Sequence, residues 1–118
     1  VHFGERSFLD KAGLTAAEFF AELARNPHHP KTSQPPPGDY RRGYELLASH
    51  FEHVVCVSLT ARLSGTHQAA VAAAARLGDP GRVTVVDSRN LSVGAGLLAL
   101  AAARAARAGG DAAAVIAA

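Results

Sequence analysis

The feature that most constrains the fold of this chain is a pair of short apolar runs with a long helical stretch between them. The first run covers residues 54–59, VVCVSL, and the second covers residues 83–86, VTVV. The alanine-rich segment between them has the length and spacing of a helix. Short strands that alternate with long helices form parallel sheets with right-handed crossovers. The sequence therefore predicts an α/β fold, a three-layer sandwich with a mainly parallel sheet.

A capping-box pattern marks the start of a helix nearer the amino terminus. The Thr15 hydroxyl can accept a hydrogen bond from a free amide of the first turn, and the Glu18 side chain can reach back to the Thr15 amide. This pattern predicts a helix over residues 16–24. Its expected buried side chains are Phe19, Phe20 and Leu23.

Proline and glycine signals divide the rest of the chain. Five prolines fall within residues 26–38, so this stretch cannot lie inside a helix or a central strand and is predicted to be an extended connector. Residues 78–81, GDPG, predict a turn. The remaining predicted elements are an edge strand or hairpin over residues 1–9, a turn at 10–13, helices over 37–49, 65–77 and 93–108, and the beginning of a helix after 110.

Composition and charge exclude several classes of protein. The formal charge of +2 on 118 residues, without a basic cluster, argues against a nucleic-acid binder. A single cysteine, Cys56, excludes an internal disulfide and a cysteine-based zinc site, and its place in an apolar run indicates packing. The histidines are too sparse for a metal site. No leader or membrane span is recognisable, which predicts a cytoplasmic protein. Both ends of the chain look cut, so we expect a piece of a longer protein.

The loop after the first apolar run is the candidate binding site. In a strand, loop and helix unit, ligands bind beyond the carboxyl end of the strand, where the first helix amides point outward. Here the loop reads Arg62-Leu63-Ser64-Gly65-Thr66. Ser64 can be explained as a helix cap alone, but a capping hydroxyl beside free amides and Thr66 also suits a carboxylate or phosphate oxygen.

Two other chemistries stay open at this loop. One is a phosphate- or nucleotide-binding α/β domain that uses the same helix start, although neither common glycine-rich phosphate motif is present. The other is a hydrolase or transferase with Ser64 as nucleophile and His67 as base, although the loop lacks the leading glycine of a nucleophile elbow. Asp87, at the end of the second apolar run, is either a ligand or a turn former.

Several short segments, taken in order, resemble the DegV family of fatty-acid-binding proteins. They are Thr32-Ser33-Gln34-Pro35, Leu63-Ser64-Gly65-Thr66, Asp87-Ser88 and the Gly94-x-Gly96 helix start. The resemblance implies a bacterial intracellular protein with two α/β domains and a long-chain fatty acid in a tunnel between them. Such a protein is not itself an enzyme. It is the acyl-binding subunit of a fatty acid kinase, and presents the carboxylate to a separate ATP-dependent kinase protein.

The resemblance also implies roles for particular residues. Thr32 and Ser64 would hydrogen-bond the fatty acid carboxylate, and Ser33, Gly65 and Thr66 would shape that end of the tunnel. It implies no catalytic residue, no metal and no cofactor besides the fatty acid. The family's opening strand and its second domain are absent, so residues 1–118 are expected to be a partial DegV-like N-terminal domain.

Overall fold

The computed structural model describes residues 1–9 and 12–118, apart from the side chain of Pro80, so the turn predicted at 10–13 lies partly outside the described residues. The chain folds as two units, Val1–Ser33 and Gln34–Ala118. Each unit has its own arrangement of strands and helices.

The first unit contains a small hairpin and one helix. Strands β1 (His2–Phe3) and β2 (Arg6–Ser7) pair in antiparallel fashion, and Gly4 turns between them with a φ of 59°. Helix α1 spans Ala16–Arg25. The hairpin predicted for residues 1–9 is confirmed. The extended segment that follows α1 joins the hairpin, because the backbone groups of His2 and Lys31 exchange two hydrogen bonds.

The capping box at the start of α1 is confirmed, but the prediction of its buried face is partly wrong. Both reciprocal bonds between Thr15 and Glu18 are present. Phe20 is 65% exposed and Leu23 is 40% exposed, whereas Glu22 is the buried residue of this helix. Phe19 is half-buried and packs its ring against Phe3 at 5.7 Å between centroids.

A buried carboxylate is tolerated in α1 because several donors surround it. Glu22 accepts hydrogen bonds from the side chains of Arg25, Asn26 and Arg6. The Arg25 bond is the main reason that the pKa of Glu22 lies below its ordinary value, with Asn26 acting in the same direction and burial opposing them. Apolar periodicity could not predict this face, since the residue that turns inward is charged.

The second unit begins with helix α2 and contains the parallel sheet. Strands β3 (Val54–Ser58) and β4 (Val83–Asp87) pair in parallel, from Val54 opposite Val83 to Ser58 opposite Asp87. The predicted parallel pairing and the α/β class are confirmed. The other elements are α2 (Pro37–Ala48), α3 (Thr66–Ala74), a short 3-10 turn (Pro80–Arg82), α4 (Ser92–Arg107) and α5 (Ala112–Ala117).

The sheet of this unit has helices on both faces. On one face, Val83 packs in a cluster with Tyr44 of α2 and Ala73 of α3, and Cys56 lies against the same cluster. Strand alternation turns Val55 to the opposite face. There a cleft of about 1030 Å³ lies between β3 and helices α4 and α5. This is the predicted three-layer order, and it gives Cys56 the packing position expected for it.

Small side chains let α3 approach the sheet closely. The buried residues of this helix are Thr66, Ala69, Ala70, Ala73 and Ala74. Alanine also has the highest helix propensity, so the same residues favour the helix and its close packing. Since protein interiors are close-packed, little space remains here for a larger side chain.

We expect Ala73→Leu to lower the free energy of unfolding by about 1–3 kcal/mol, because Ala73 is only 1% exposed and a leucine would overpack the contact with the sheet. Ala75→Leu is the matched control, since Ala75 is exposed at the end of the same helix. Urea denaturation of the purified protein measures both. Equal effects of the two substitutions would contradict the packing argument.

Candidate functional site

Two loops leave the same edge of the parallel sheet and are joined by backbone hydrogen bonds. The Ser88 amide donates to the Ser58 carbonyl at 3.0 Å, and the Thr60 amide donates to the Asn90 carbonyl at 3.0 Å. The strand pairing therefore continues past the ends of β3 and β4. As a result, the loop that precedes α3 has a defined path.

Asp87 connects the two loops through its side chain. Its Oδ1 accepts hydrogen bonds from the Arg89 amide at 2.8 Å and from the Ala61 amide at 3.3 Å. The Arg89 bond is the main cause that lowers the pKa of Asp87. The Ala61 bond and positive charge on His67 and Arg89 act in the same direction, and partial burial opposes them. Of the two roles left open by the sequence, these bonds favour the turn former.

Ser64 and Thr66 form a hydrogen-bonded pair at the start of α3. The Ser64 hydroxyl accepts from the Thr66 amide at 3.2 Å, and the two side-chain oxygens lie 2.9 Å apart. The N-cap residue is Gly65, which makes no side-chain bond, so Ser64 satisfies a helix amide from one position further back. Ser64 is half-buried and Thr66 is buried. The structure thus joins the Ser64 and Thr66 hydroxyls at the start of α3.

The start of α3 has backbone amide donors that no described residue uses as hydrogen-bond partners. Within the described part of the chain, no hydrogen bond uses the amides of His67 and Gln68, and the first turn contains no acidic side chain. Helix starts carry partial positive charge because their first amides lack carbonyl partners within the helix. The group that best complements this end of α3 is an anionic oxygen.

Gln34 is a member of this site that sequence reasoning did not assign. A methyl group added to Gly65 would lie 2.6 Å from Oε1 and 2.8 Å from Nε2 of Gln34, so the side-chain amide lies directly over Gly65. Any other residue at position 65 would require the Gln34 amide to move. Gln34 of the T-S-Q-P segment and Gly65 of the L-S-G-T segment, which are 31 positions apart in the sequence, therefore lie together. The signal available was the occurrence of both segments in one chain.

His67 is paired with a different serine from the one considered as a nucleophile. Its Nδ1 lies 2.8 Å from the Ser58 hydroxyl, which itself donates to the Val86 carbonyl. The Ser64 hydroxyl bonds with Thr66 instead. This arrangement lends no support to a Ser64–His67 catalytic pair, and Ser58 was not found by sequence reasoning because it lies in an apolar run.

Thr32 and Ser33 belong to the first unit. The Ser33 hydroxyl lies 3.1 Å from His2 Nε2, and His2 Nδ1 lies 2.8 Å from the Ser7 hydroxyl, so His2 links the connector to the hairpin. Thr32 is exposed, and within residues 1–9 and 12–33 its hydroxyl has no hydrogen-bond partner. An exposed, unpaired hydroxyl remains available to a ligand.

Other kinds of site find little support in the described residues. They contain no group of three or more histidine, cysteine, aspartate or glutamate side chains that could hold a metal ion. No helix among them is both long enough and apolar enough to cross a membrane.

Comparison with known proteins gives the family. The model of the DegV family, described as an uncharacterised protein family, matches residues 1–118. The chain belongs to the DegV family. A DegV domain-containing protein of Caldanaerobacter subterraneus subsp. tengcongensis is 35% identical over 104 residues, which cover 88% of this chain and 36% of the relative. The chain thus spans little more than a third of that relative's length.

Solved DegV structures have the same fold. A DegV family protein from Thermus thermophilus, described by its fatty acid binding, matches with a TM-score of 0.84 and 36% identity. The match covers 91% of this chain and 38% of the T. thermophilus chain. DegV from Bacillus subtilis, described as a fatty acid binding protein, matches with a TM-score of 0.85 and 28% identity. The match covers 98% of this chain and 41% of the B. subtilis chain. The family and the fold inferred from the short motifs are confirmed.

We expect Asp87→Ala to lower the Tm of this DegV chain more than Asp87→Asn does. Alanine removes the acceptor that joins the Ala61 and Arg89 amides, whereas asparagine keeps a carbonyl oxygen in the same place. Differential scanning calorimetry at neutral pH measures the two variants. If both lose the same amount, the negative charge rather than the acceptor holds the loops together.

The lowered pKa of Asp87 predicts an acid-side loss of stability. A carboxyl whose pKa is depressed by folding stabilises the native state fully above its ordinary value, here 3.8, and this contribution is lost as the pH falls through the lowered value. We expect the Tm difference between the wild type and Asp87→Asn to be constant above about pH 5 and to shrink at lower pH. A difference that does not change with pH would contradict the assigned shift.

Proposed function

We propose that this DegV-family chain is part of a protein that binds a long-chain fatty acid and holds its carboxylate at the start of α3. The observation that carries the proposal is the hydroxyl pair of Ser64 and Thr66 beside unused amides of the first helical turn. The fatty acid binding for which the solved relatives from T. thermophilus and B. subtilis are described supports this choice of anion.

The hydroxyl pair suits a group that can only accept hydrogen bonds. Either Ser64 or Thr66 can be the donor within the pair. When a carboxylate is present, the Thr66 hydroxyl donates to Ser64 Oγ, and this leaves the Ser64 proton free to donate to the ligand. Charge-assisted hydrogen bonds of this kind are stronger than neutral ones. The ligand therefore selects one of two hydroxyl arrangements that the protein already allows.

Thr32 is proposed as the second donor to the carboxylate, with Ser33 beside it. The support is the unpaired, exposed hydroxyl of Thr32 and its place in the T-S-Q-P segment, whose glutamine lies over Gly65. The proposal gives Ser33, Gly65 and Thr66 the lesser role of shaping this end of the site. No residue of the chain is given a catalytic role.

Neutral donors have a consequence for chemistry at the carboxylate. Hydroxyls and amides stabilise a carboxylate without the full opposite charge of a lysine or arginine. Its oxygen therefore keeps more of its nucleophilic character, which transfer of a phosphoryl group from ATP requires. We propose that the complete protein presents the carboxylate to a separate ATP-dependent kinase, and that residues 1–118 form part of its N-terminal domain. The remainder of the complete protein would supply the rest of the acyl tunnel.

Ligand extraction from the purified full-length protein tests the proposal. Mass spectrometry should find long-chain acyl groups, whereas bound nucleotides would favour the phosphate-binding alternative. We expect Ser64→Ala to weaken fatty acid binding about ten-fold or more, since it removes a hydrogen bond to a charged group.

Ser49→Ala is the matched control for this experiment. The Ser49 hydroxyl is exposed after α2, before β3 begins, and its hydrogen-bond partners are the Leu46 carbonyl and the neighbouring His50 Nδ1. We expect it to leave the affinity unchanged. If Ser64→Ala retained wild-type affinity and still supported phosphorylation by the kinase, the role assigned to Ser64 would be wrong.

A further inference from the structure

We propose that the side-chain amide of Gln34 donates a hydrogen bond to the ligand carboxylate and makes the site selective for an ionised acid over a neutral headgroup. This inference rests on the proposed function, and it adds a specificity-determining residue to that site. It follows from the contact between Gln34 and the turn that begins α3.

The position of the Gln34 amide is the first step. Both of its polar atoms lie close to Gly65, within 2.8 Å of where a methyl group would be. Gly65 is the N-cap of α3 and follows Ser64 directly. The amide therefore lies beside the residue that joins the Ser64 hydroxyl to the first helix amides.

The amide is free to act on a ligand. Gln34 is exposed, and within residues 34–118 its side chain makes no hydrogen bond. Its backbone is held by the following Pro35, since a residue before proline is restricted to extended conformations. A fixed backbone with an unengaged amide at its end can turn either its N–H donors or its oxygen toward the site.

A carboxylate ligand would determine which end of the Gln34 amide faces the site. It offers only acceptor oxygens, so the Nε2 donors of Gln34 would turn toward it, next to the Ser64 hydroxyl. A neutral headgroup such as an alcohol can pair with either end of the amide and gains less from a charge-assisted bond. Gln34 would thus contribute to selectivity through the charge of the ligand and not through its shape.

The substitution Gln34→Glu separates a ligand contact from a structural role. Glutamate has nearly the same shape but replaces the donors by a negative charge. Near the start of α3 a negative charge stabilises the helix, so the Tm should stay equal or rise. The same charge should repel a carboxylate ligand. A purely structural role predicts that stability and affinity change in the same direction, whereas a ligand contact predicts opposite directions.

The experiment uses the full-length protein at pH 8, freed of bound lipid, with stearate and octadecanol as probes in competition with a fluorescent fatty acid. We expect Gln34→Glu to weaken stearate binding about ten-fold or more, and octadecanol binding by much less. Gln34→Ala should give a smaller loss for stearate. Ala75→Glu is the matched control, because it adds the same charge to an exposed position at the opposite end of α3.

Three outcomes would overturn the inference. They are wild-type affinity for stearate in Gln34→Glu, equal losses for stearate and octadecanol, or an equal stearate loss in Ala75→Glu, which would show a general effect of the added charge. Failure of the proposed function is distinguishable from all three. In that case the wild-type protein itself would bind neither stearate nor the fluorescent fatty acid.

Discussion

The parallel pairing of β3 with β4 is the interaction on which the site depends. Parallel strands bring their carboxyl ends to one edge, so the loops that follow residues 58 and 87 leave side by side. Hydrogen bonds between the backbones then extend the pairing into both loops. Without this register, Asp87 could not reach the Ala61 amide. The turn with Ser64 would then lose the bond that joins it to its neighbour.

The elements of the fold were largely predictable from sequence, because local signals were strong. The capping box of Thr15 and Glu18, the GDPG turn and the two apolar runs each indicated one structure only. The ends of α3 were less well predicted, since the residues after Ala74 continue the alanine-rich pattern but form turns. Periodicity cannot show where a helix of alanines ends when no polar or glycine signal coincides with the last turn.

Other features were beyond sequence reasoning for physical reasons. Glu22 is buried because three separate side chains supply its donors, and two of these lie within four residues while Arg6 comes from the hairpin. The contact between Gln34 and Gly65 and the bond between Ser58 and His67 likewise depend on tertiary structure. The sequence predicted this turn as the candidate site through Ser64 and Thr66. It could not identify the neighbours that complete the turn.

Three side chains of this turn make none of the hydrogen bonds that hold it in place. Within the described residues, the segment from Ala61 to Leu63 is held through its backbone amides, which donate to Asp87 Oδ1, to Thr60 Oγ1 and to the Thr60 carbonyl. The Ala61, Arg62 and Leu63 side chains take part in none of these bonds. Natural selection can therefore exchange them without disturbing the path of the chain. Thr60 differs from them, because it is buried and supplies two of the three acceptors that hold the segment.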